Sequence, residues 1–293
     1  MAAERSAAMT SDAAAAQTSA APAAADWVTI PVAASADVAA TELRCWWEPA
    51  RGGLCRGGVL VLPEVFGVNG WVRGMAGRLA AEGYAALAMP LFSRTAPELD
   101  LPYDAASLAE GRHHKDQTTT AQILADAAAA AAWLAGQLEA MGLGEGSSGG
   151  LSESEGRSVG LGCLGFCFGG HAALLSATLP AIGATADFYG AGVASGRPGG
   201  GPPSLSEVDR IQGRLLCVCG RQDPLIPPED AAAIRSALET ANQLRDDGSG
   251  KGLHRTLEVE AGHGFLCDAR DDYNAAAAAL GWAALLEFFA ETL

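Results

Sequence analysis

The sequence predicts an α/β protein whose mostly parallel central sheet carries helices on both faces. Three observations predict it. From Trp27 onward, short apolar runs of strand character alternate with Ala-rich segments of helical periodicity. The stretch Ser158 to Ala172 passes from an apolar run through Gly165-Phe166-Cys167-Phe168-Gly169-Gly170 into an Ala/Leu-rich segment, which reads as strand, sharp turn and helix. Finally, 293 residues at 49% hydrophobic content bury a substantial core, and a single domain of about 200–250 residues is ordinary for this class.

Residues 1–25 are Ala-, Ser- and Thr-rich with little bulky apolar content. They bury too little surface to offset their ordering entropy, so a disordered leader is expected, followed by one domain over 26–293. The leader lacks the apolar core of a secretory signal. Its Ala/Ser texture leaves organellar targeting open beside a cytoplasmic location, although Arg5 is its only basic residue.

Trp27 to Val32 and Glu42 to Trp47 alternate like strands, and Val59 to Leu62 reads as a buried strand ending in Pro63-Glu64-Val65-Phe66-Gly67-Val68-Asn69. A helix over 70–82 follows, with Asn69 as N-cap and Gly83 as stop. Tyr84 to Met89 is the next strand, so a parallel crossover is complete. Leu91 to Lys115, rich in Pro and charge, reads as a surface passage. Asp116 to Leu138 is helical, and Gly142 to Gly156 is a flexible Gly/Ser insert. Beyond the strand-turn-helix stretch come a strand over Ala181 to Tyr189, a flexible Gly/Pro stretch over Gly190 to Pro203 and a strand over Arg214 to Cys219. A helix from Pro227-Pro228 to about Leu244, a strand over Leu253 to Glu260 and a helix over Tyr273 to Thr292 complete the chain. The last helix turns Trp282, Leu285, Leu286, Phe288 and Phe289 inward.

A formal net charge of −15 argues against nucleic acid and anionic membrane surfaces, whose binding footprints are basic. No run of 18 purely apolar residues bounded by charges occurs, so no transmembrane helix is expected. Seven cysteines, odd in number and mostly inside strand-like runs, do not suggest a disulfide framework and fit a reducing compartment. Cys217 and Cys219 share one strand face, but nothing nearby completes a metal site. Neither a metal nor an organic cofactor is implied.

Ligands of open α/β sheets bind beyond the carboxyl ends of the strands. Glu64, Cys167, Asp223 in Gly220-Arg221-Gln222-Asp223-Pro224 and His263 in Ala261-Gly262-His263-Gly264-Phe265 all fall at such ends. The motif around Cys167 is a nucleophile elbow, G-x-S-x-G, with cysteine for serine. Its glycines relieve crowding between strand and helix, and its sulfur sits at a helix N-terminus, whose dipole favours an anion. Nucleophile, acid and histidine follow in the chain order of α/β-hydrolase triads. In such a triad His263 takes the thiol proton and Asp223 fixes the imidazole tautomer. The amides of Phe168 and Val65 are the candidate donors to an oxyanion.

With these motifs the chain from Trp27 to Leu293 resembles the dienelactone hydrolase family. The resemblance implies an α/β-hydrolase fold, a Cys167, Asp223, His263 triad, and a glutamate, here Glu64, that contacts the resting thiol and sets its protonation. It also implies cyclic enol-ester substrates whose carboxylate is held by two arginines. Arg94, in Ser93-Arg94-Thr95-Ala96-Pro97, resembles the first. Cys267 stands where the second is expected, four residues after His263, and Arg270 is the candidate replacement. The inserts at Gly142 to Gly156 and Gly190 to Gly213 depart from the family pattern.

The expected activity is therefore cleavage of a small-molecule carboxylic ester or lactone through a thioester, by a monomer or homodimer. Acyl transfer on the same triad and an idle, hydrolase-like binding protein are the alternatives. The individual residues also have plainer uses: Asp223 as a turn residue before Pro224, Glu64 as a helix cap, Arg94 and Arg270 as surface charges.

Overall fold

A computed structural model describes residues 23–53, 55–142, 160–245 and 254–293. Nearly all of the expected leader and most of the Gly142 to Gly156 insert lie outside the described residues. One eight-stranded sheet organises the rest, built from β1 (Asp26–Val32), β2 (Thr41–Glu48), β3 (Gly57–Leu62), β4 (Tyr84–Ala88), β5 (Leu161–Phe166), β6 (Ala184–Phe188), β7 (Arg214–Gly220) and β8 (Arg255–Val259). The strand order is β1-β2-β4-β3-β5-β6-β7-β8. β1 and β2 pair antiparallel to each other, β2 pairs antiparallel to β4, and all remaining pairs are parallel. The carboxyl ends of β3, β5, β7 and β8 therefore meet at one edge, where the four candidate residues follow them.

The period-two pattern of β3 shows how the sheet divides two cores. Val59 and Val61 point into a layer shared with Met75 and Leu79 of α1 (Gly70–Ala81), Ile234 and Leu238 of α5 (Pro228–Arg245), and Phe288 and Phe289 of α6 (Ala275–Thr292). Leu60 and Leu62 point into a layer shared with Ile123, Ala130 and Leu134 of α3 (Thr120–Ala140). The fold class follows the expected one. Asn69 caps α1 by accepting from the Val72 amide at 3.2 Å, and Gly83 stops it at φ +88°.

Three segments differ from expectation. The surface passage contains a helix, α2 (Ala105–Lys115), whose start is capped by Asp104 accepting from the Ser107 amide at 2.8 Å. Its buried positions are Ser107 and Gly111, so it has almost no apolar periodicity. It is held instead by close approach: a Cβ on Gly111 would lie 2.1 Å from the Val65 carbonyl oxygen. Next, α3 begins four residues later than expected, where Thr119 and Gln122 form a reciprocal capping box.

The Gly/Pro stretch after β6 is docked rather than free, because Pro198 O accepts from both the amide and the hydroxyl of Thr120 at 2.9 Å. A 3-10 helix (Ser204–Arg210) follows it. By length and composition α6 is long and apolar enough to cross a membrane. Here it packs on β6, β7 and β8, and Leu285, Phe288 and Phe289 are wholly buried, each burial contributing roughly 1.5–3 kcal/mol.

Candidate active site

The turn between β5 and α4 (Phe168–Ser176) sets Cys167 at φ 54°, ψ −118°, a conformation disfavoured for any side chain. Its amide donates to Phe188 O at 3.0 Å, and its carbonyl begins α4 by accepting from the His171 amide at 3.1 Å. The sulfur lines a cavity of about 550 Å³ together with His263, Val65, Phe168 and Arg270. These five expected site residues thus share one space.

Asp223 and Glu64 stand behind it, both buried. Asp223 Oδ2 lies 2.8 Å from His263 Nδ1, and its Oδ1 accepts from the Leu225 amide at 2.8 Å. A carboxylate can only accept, so Nδ1 carries the proton and Nε2 is left for the thiol. Nε2 is buried without a strict hydrogen-bond partner and faces Cys167. Burial would depress the His263 pKa, but the negative thiolate and the Asp223 carboxylate overcome this and raise it to about 10. The site therefore favours transfer of a proton onto His263.

Glu64 is placed differently from the expected contact with the resting thiol. Its Oε1 accepts from Arg270 Nη1 at 2.9 Å, and Arg270 Nη2 reaches Asp272 at 3.0 Å. The Arg270 guanidinium lies 5.9 Å from the ring centres of both Phe66 and Tyr103. Arg270 thus lines the cavity with its charge already committed. Burial raises the Glu64 pKa above the ordinary carboxylate range, against the lowering pull of Arg270 and His263.

This pair gives a prediction. Arg270→Met leaves a buried carboxylate without its counterion, which costs about 3 kcal/mol at neutral pH. A folded-state pKa raised above the unfolded value of about 4.3 contributes stability that is fully present below that value and lost as pH rises through the folded pKa. Denaturant unfolding of the variant should therefore show a small deficit against the parent near pH 4 and the full deficit by pH 8. A deficit independent of pH would refute the pairing.

Arg94 is not among the residues lining the cavity: both of its terminal nitrogens bond the Asp126 carboxylate, at 2.8 and 2.9 Å, and its Nε donates to Ala39 O at 3.1 Å. The cause is Asp126, a carboxylate buried on α3 that requires a cation. Cys267 packs beside Glu64 and Tyr103, and burial pushes its thiol up to about 12, so it adds no charge where a second arginine was looked for.

Tyr189 escaped the sequence reading. It follows β6 at φ 44°, and its ring meets those of His263 and Phe265 edge-on, each at 5.2 Å. A tyrosine between a strand end and Gly190 was the available signal. Its ring backs the imidazole and limits where it can turn.

The model of the dienelactone hydrolase family matches residues 55–293. A Synechocystis sp. protein named "Putative carboxymethylenebutenolidase" is 38% identical over 232 residues, 79% of this chain and 84% of the relative. An Escherichia coli (strain K12) protein of the same name is 30% identical over 79% of this chain and 75% of its own length. The crystal structure of a "Putative Dienelactone Hydrolase" from Klebsiella pneumoniae superposes with TM-score 0.68 at 26% identity, covering 91% of this chain and 98% of that one. With an elbow, a strand-end carboxylate and a strand-end histidine meeting at the same sheet edge, the chain belongs to the dienelactone hydrolase family.

Proposed function

We propose that the protein hydrolyses a carboxylic ester or lactone through a covalent thioester on Cys167. The observation that carries this is a sulfur held on a strained elbow, facing a histidine whose other nitrogen is locked by a buried aspartate. Strain of this kind, of order 1–3 kcal/mol, persists where the surroundings over-determine it, as at catalytic sites.

In this mechanism the thiol proton passes to His263 Nε2 and the sulfur adds to the carbonyl carbon. The developing oxyanion is received by the Phe168 amide at the start of α4 and by the Val65 amide. The imidazolium then protonates the leaving alkoxide as the carbon–oxygen bond breaks, leaving a thioester. His263 next takes a proton from water, which attacks the thioester, and collapse returns the proton to sulfur as the acid departs. Asp223 holds the tautomer throughout. The Glu64–Arg270 pair acts from behind, fixing the charge next to the thiol and imidazole.

Quenching the protein in the first turnover of an aryl ester tests the covalent step. Peptide mass spectrometry should find one equivalent of the acyl group on the peptide bearing Cys167. Rapid turnover with no acylated cysteine at any quench time would sink the proposal.

A further inference from the structure

Beneath the elbow lies a buried carboxylate that ester cleavage does not touch. Asp187 stands one residue before the end of β6 and is 2% exposed. β5 and β7 flank it, with Gly165 and Cys217 as its register partners. No cation offsets its charge among the described residues. Its Oδ1 is buried without a hydrogen-bond partner, and its Oδ2 has only a weak contact from the Cys217 thiol, at 4.0 Å. An apolar side chain of similar size would fill this place at lower cost, so the carboxylate needs a reason other than packing.

The carboxylate is seated between two glycines. A Cβ on Gly170, in the first turn of α4, would lie 2.3 Å from Asp187 Oδ1. One on Gly190, just beyond β6, would lie 2.3 Å from Oδ1 and 2.5 Å from Oδ2. Asp187 thus occupies the space of two missing side chains and bridges the helix that follows the nucleophile to the turn that follows β6. Burial raises its pKa, to about 7, against the lowering pull of the Gly190 amide. The titratable groups facing it from the neighbouring strands are the thiols of Cys163 on β5 and of Cys217 and Cys219 on β7, all kept neutral by burial. On α4 it meets Gly170, and the adjacent His171 is engaged with Ala191 O and Ser204 Oγ.

Two residues connect this seat to both reacting groups. Phe188 O accepts from the Cys167 amide at 3.0 Å, which hangs the elbow on the end of β6. Tyr189 follows at φ 44°, its amide donates to Val218 O of β7 at 2.8 Å, and its ring lies 5.2 Å from that of His263. Asp187 is not among the residues lining the cavity, and the charges that raise the His263 pKa are those of Cys167 and Asp223. Its influence therefore runs through the turn.

We propose that Asp187, as a carboxylate, is a positioning residue that clamps the 187–190 turn between α4 and β7, so that the Phe188 carbonyl holds Cys167 and the Tyr189 ring holds His263 in register for attack. Protonation removes the charge that draws in the Gly190 amide, because a charge-assisted hydrogen bond is stronger than a neutral one, and the clamp loosens. The inference rests on the ester-hydrolase reading for its kinetic test, whereas the clamp itself is read without turnover.

Asp187→Asn keeps the size of the side chain and an acceptor oxygen but removes the ionisation. With a neutral aryl ester, kcat should fall about tenfold or more while KM stays within about twofold, since misalignment of reacting groups costs rate rather than binding. The kcat of the parent should rise with pH through a limb near 7, where Asp187 ionises, and the variant should lack that limb. Independently of turnover, the Gly190 amide resonance of the parent should titrate with the same midpoint, a measurement that needs no variant to fold. Unchanged activity and pH profile in Asp187→Asn would overturn the positioning role, as would a fall in kcat with the limb intact, the mark of a merely structural residue. A Gly190 amide that does not titrate between about pH 5 and 9 would overturn the clamp. Absence of ester turnover by the parent, with the Gly190 titration present, would instead count against the hydrolase reading, so the two failures are distinguishable.

Discussion

Cys167→Ala should lower kcat/KM for a neutral aryl ester by three orders of magnitude or more, a loss of about 4 kcal/mol of transition-state stabilisation. The substitution keeps a Cβ at φ 54° and so leaves the elbow as strained as before. The amides of Phe168 and Val65, the cavity and the Asp223–His263 pair all remain. What disappears is the one atom able to make the acyl bond.

The same substitution has a second, independent consequence. The thiolate is foremost among the influences that raise the His263 pKa to about 10, ahead of the Asp223 hydrogen bond, and burial opposes both. Without it, the imidazole should titrate at distinctly lower pH, and at neutral pH its charged fraction should fall. NMR titration of the His263 ring in the two proteins reads this directly. A variant that keeps a tenth of the parent activity would exclude Cys167 as nucleophile. An unchanged His263 titration would show that sulfur and imidazole do not interact.

The parts of this site legible in the sequence were those encoded locally. Cys167, Asp223 and His263 each stand at the end of an apolar run within a glycine-containing turn, and the turn chemistry alone marks them. The mostly parallel sheet with helices on both faces needed only the parallel-crossover rule and the alternation of elements. The ion pairs of Arg94 and Arg270 were not legible, because their partners are remote. Arg94 lies in a plausible local setting, yet its fate is decided by Asp126, 32 positions away on α3. Arg270 is claimed by Glu64, 206 positions earlier. No periodicity records either pairing.

The missed helix α2 has a related cause. Its stability comes from the Asp104 cap and from a glycine allowing contact with the Val65 carbonyl, not from an apolar stripe. Its last turn, Arg112 to Lys115, is basic, as helix ends tend to be, and offered a signal. The docked loop likewise looks flexible by composition. It is ordered because Thr120 and His171 satisfy carbonyls whose locations the sequence does not state.

Gly165→Ala should be the most destabilising small substitution near the site, costing 3 kcal/mol or more and lowering the melting temperature by roughly 10 °C. An added Cβ would lie 1.9 Å from Gly169 O, 2.4 Å from Gly169 C and 2.8 Å from Gly170 N. All three are backbone atoms of the first turn of α4, so no rotamer change relieves the clash. Retreat is closed on the far side as well, because Gly169 itself already sits where a Cβ would be 2.3 Å from Leu62 O and 2.4 Å from Pro63 O. The helix can move away from β5 only by pressing on the end of β3, which carries Glu64 and Val65.

A control of opposite sign separates crowding from the general effect of replacing glycine. Gly136 lies inside α3, where an added Cβ meets nothing within 4 Å. Gly136→Ala should therefore stabilise the protein by about 0.5–1 kcal/mol through helix propensity and a less flexible unfolded chain. Denaturant unfolding of the pair is the measurement. If Gly165→Ala unfolds within 1 kcal/mol of the parent, the elbow is not tight, and a relaxed elbow would no longer hold Cys167 in its strained conformation facing His263. If it is as tight as these distances require, the surviving folded fraction of Gly165→Ala should lose ester turnover while retaining Cys167, because the sulfur then stands in the wrong place.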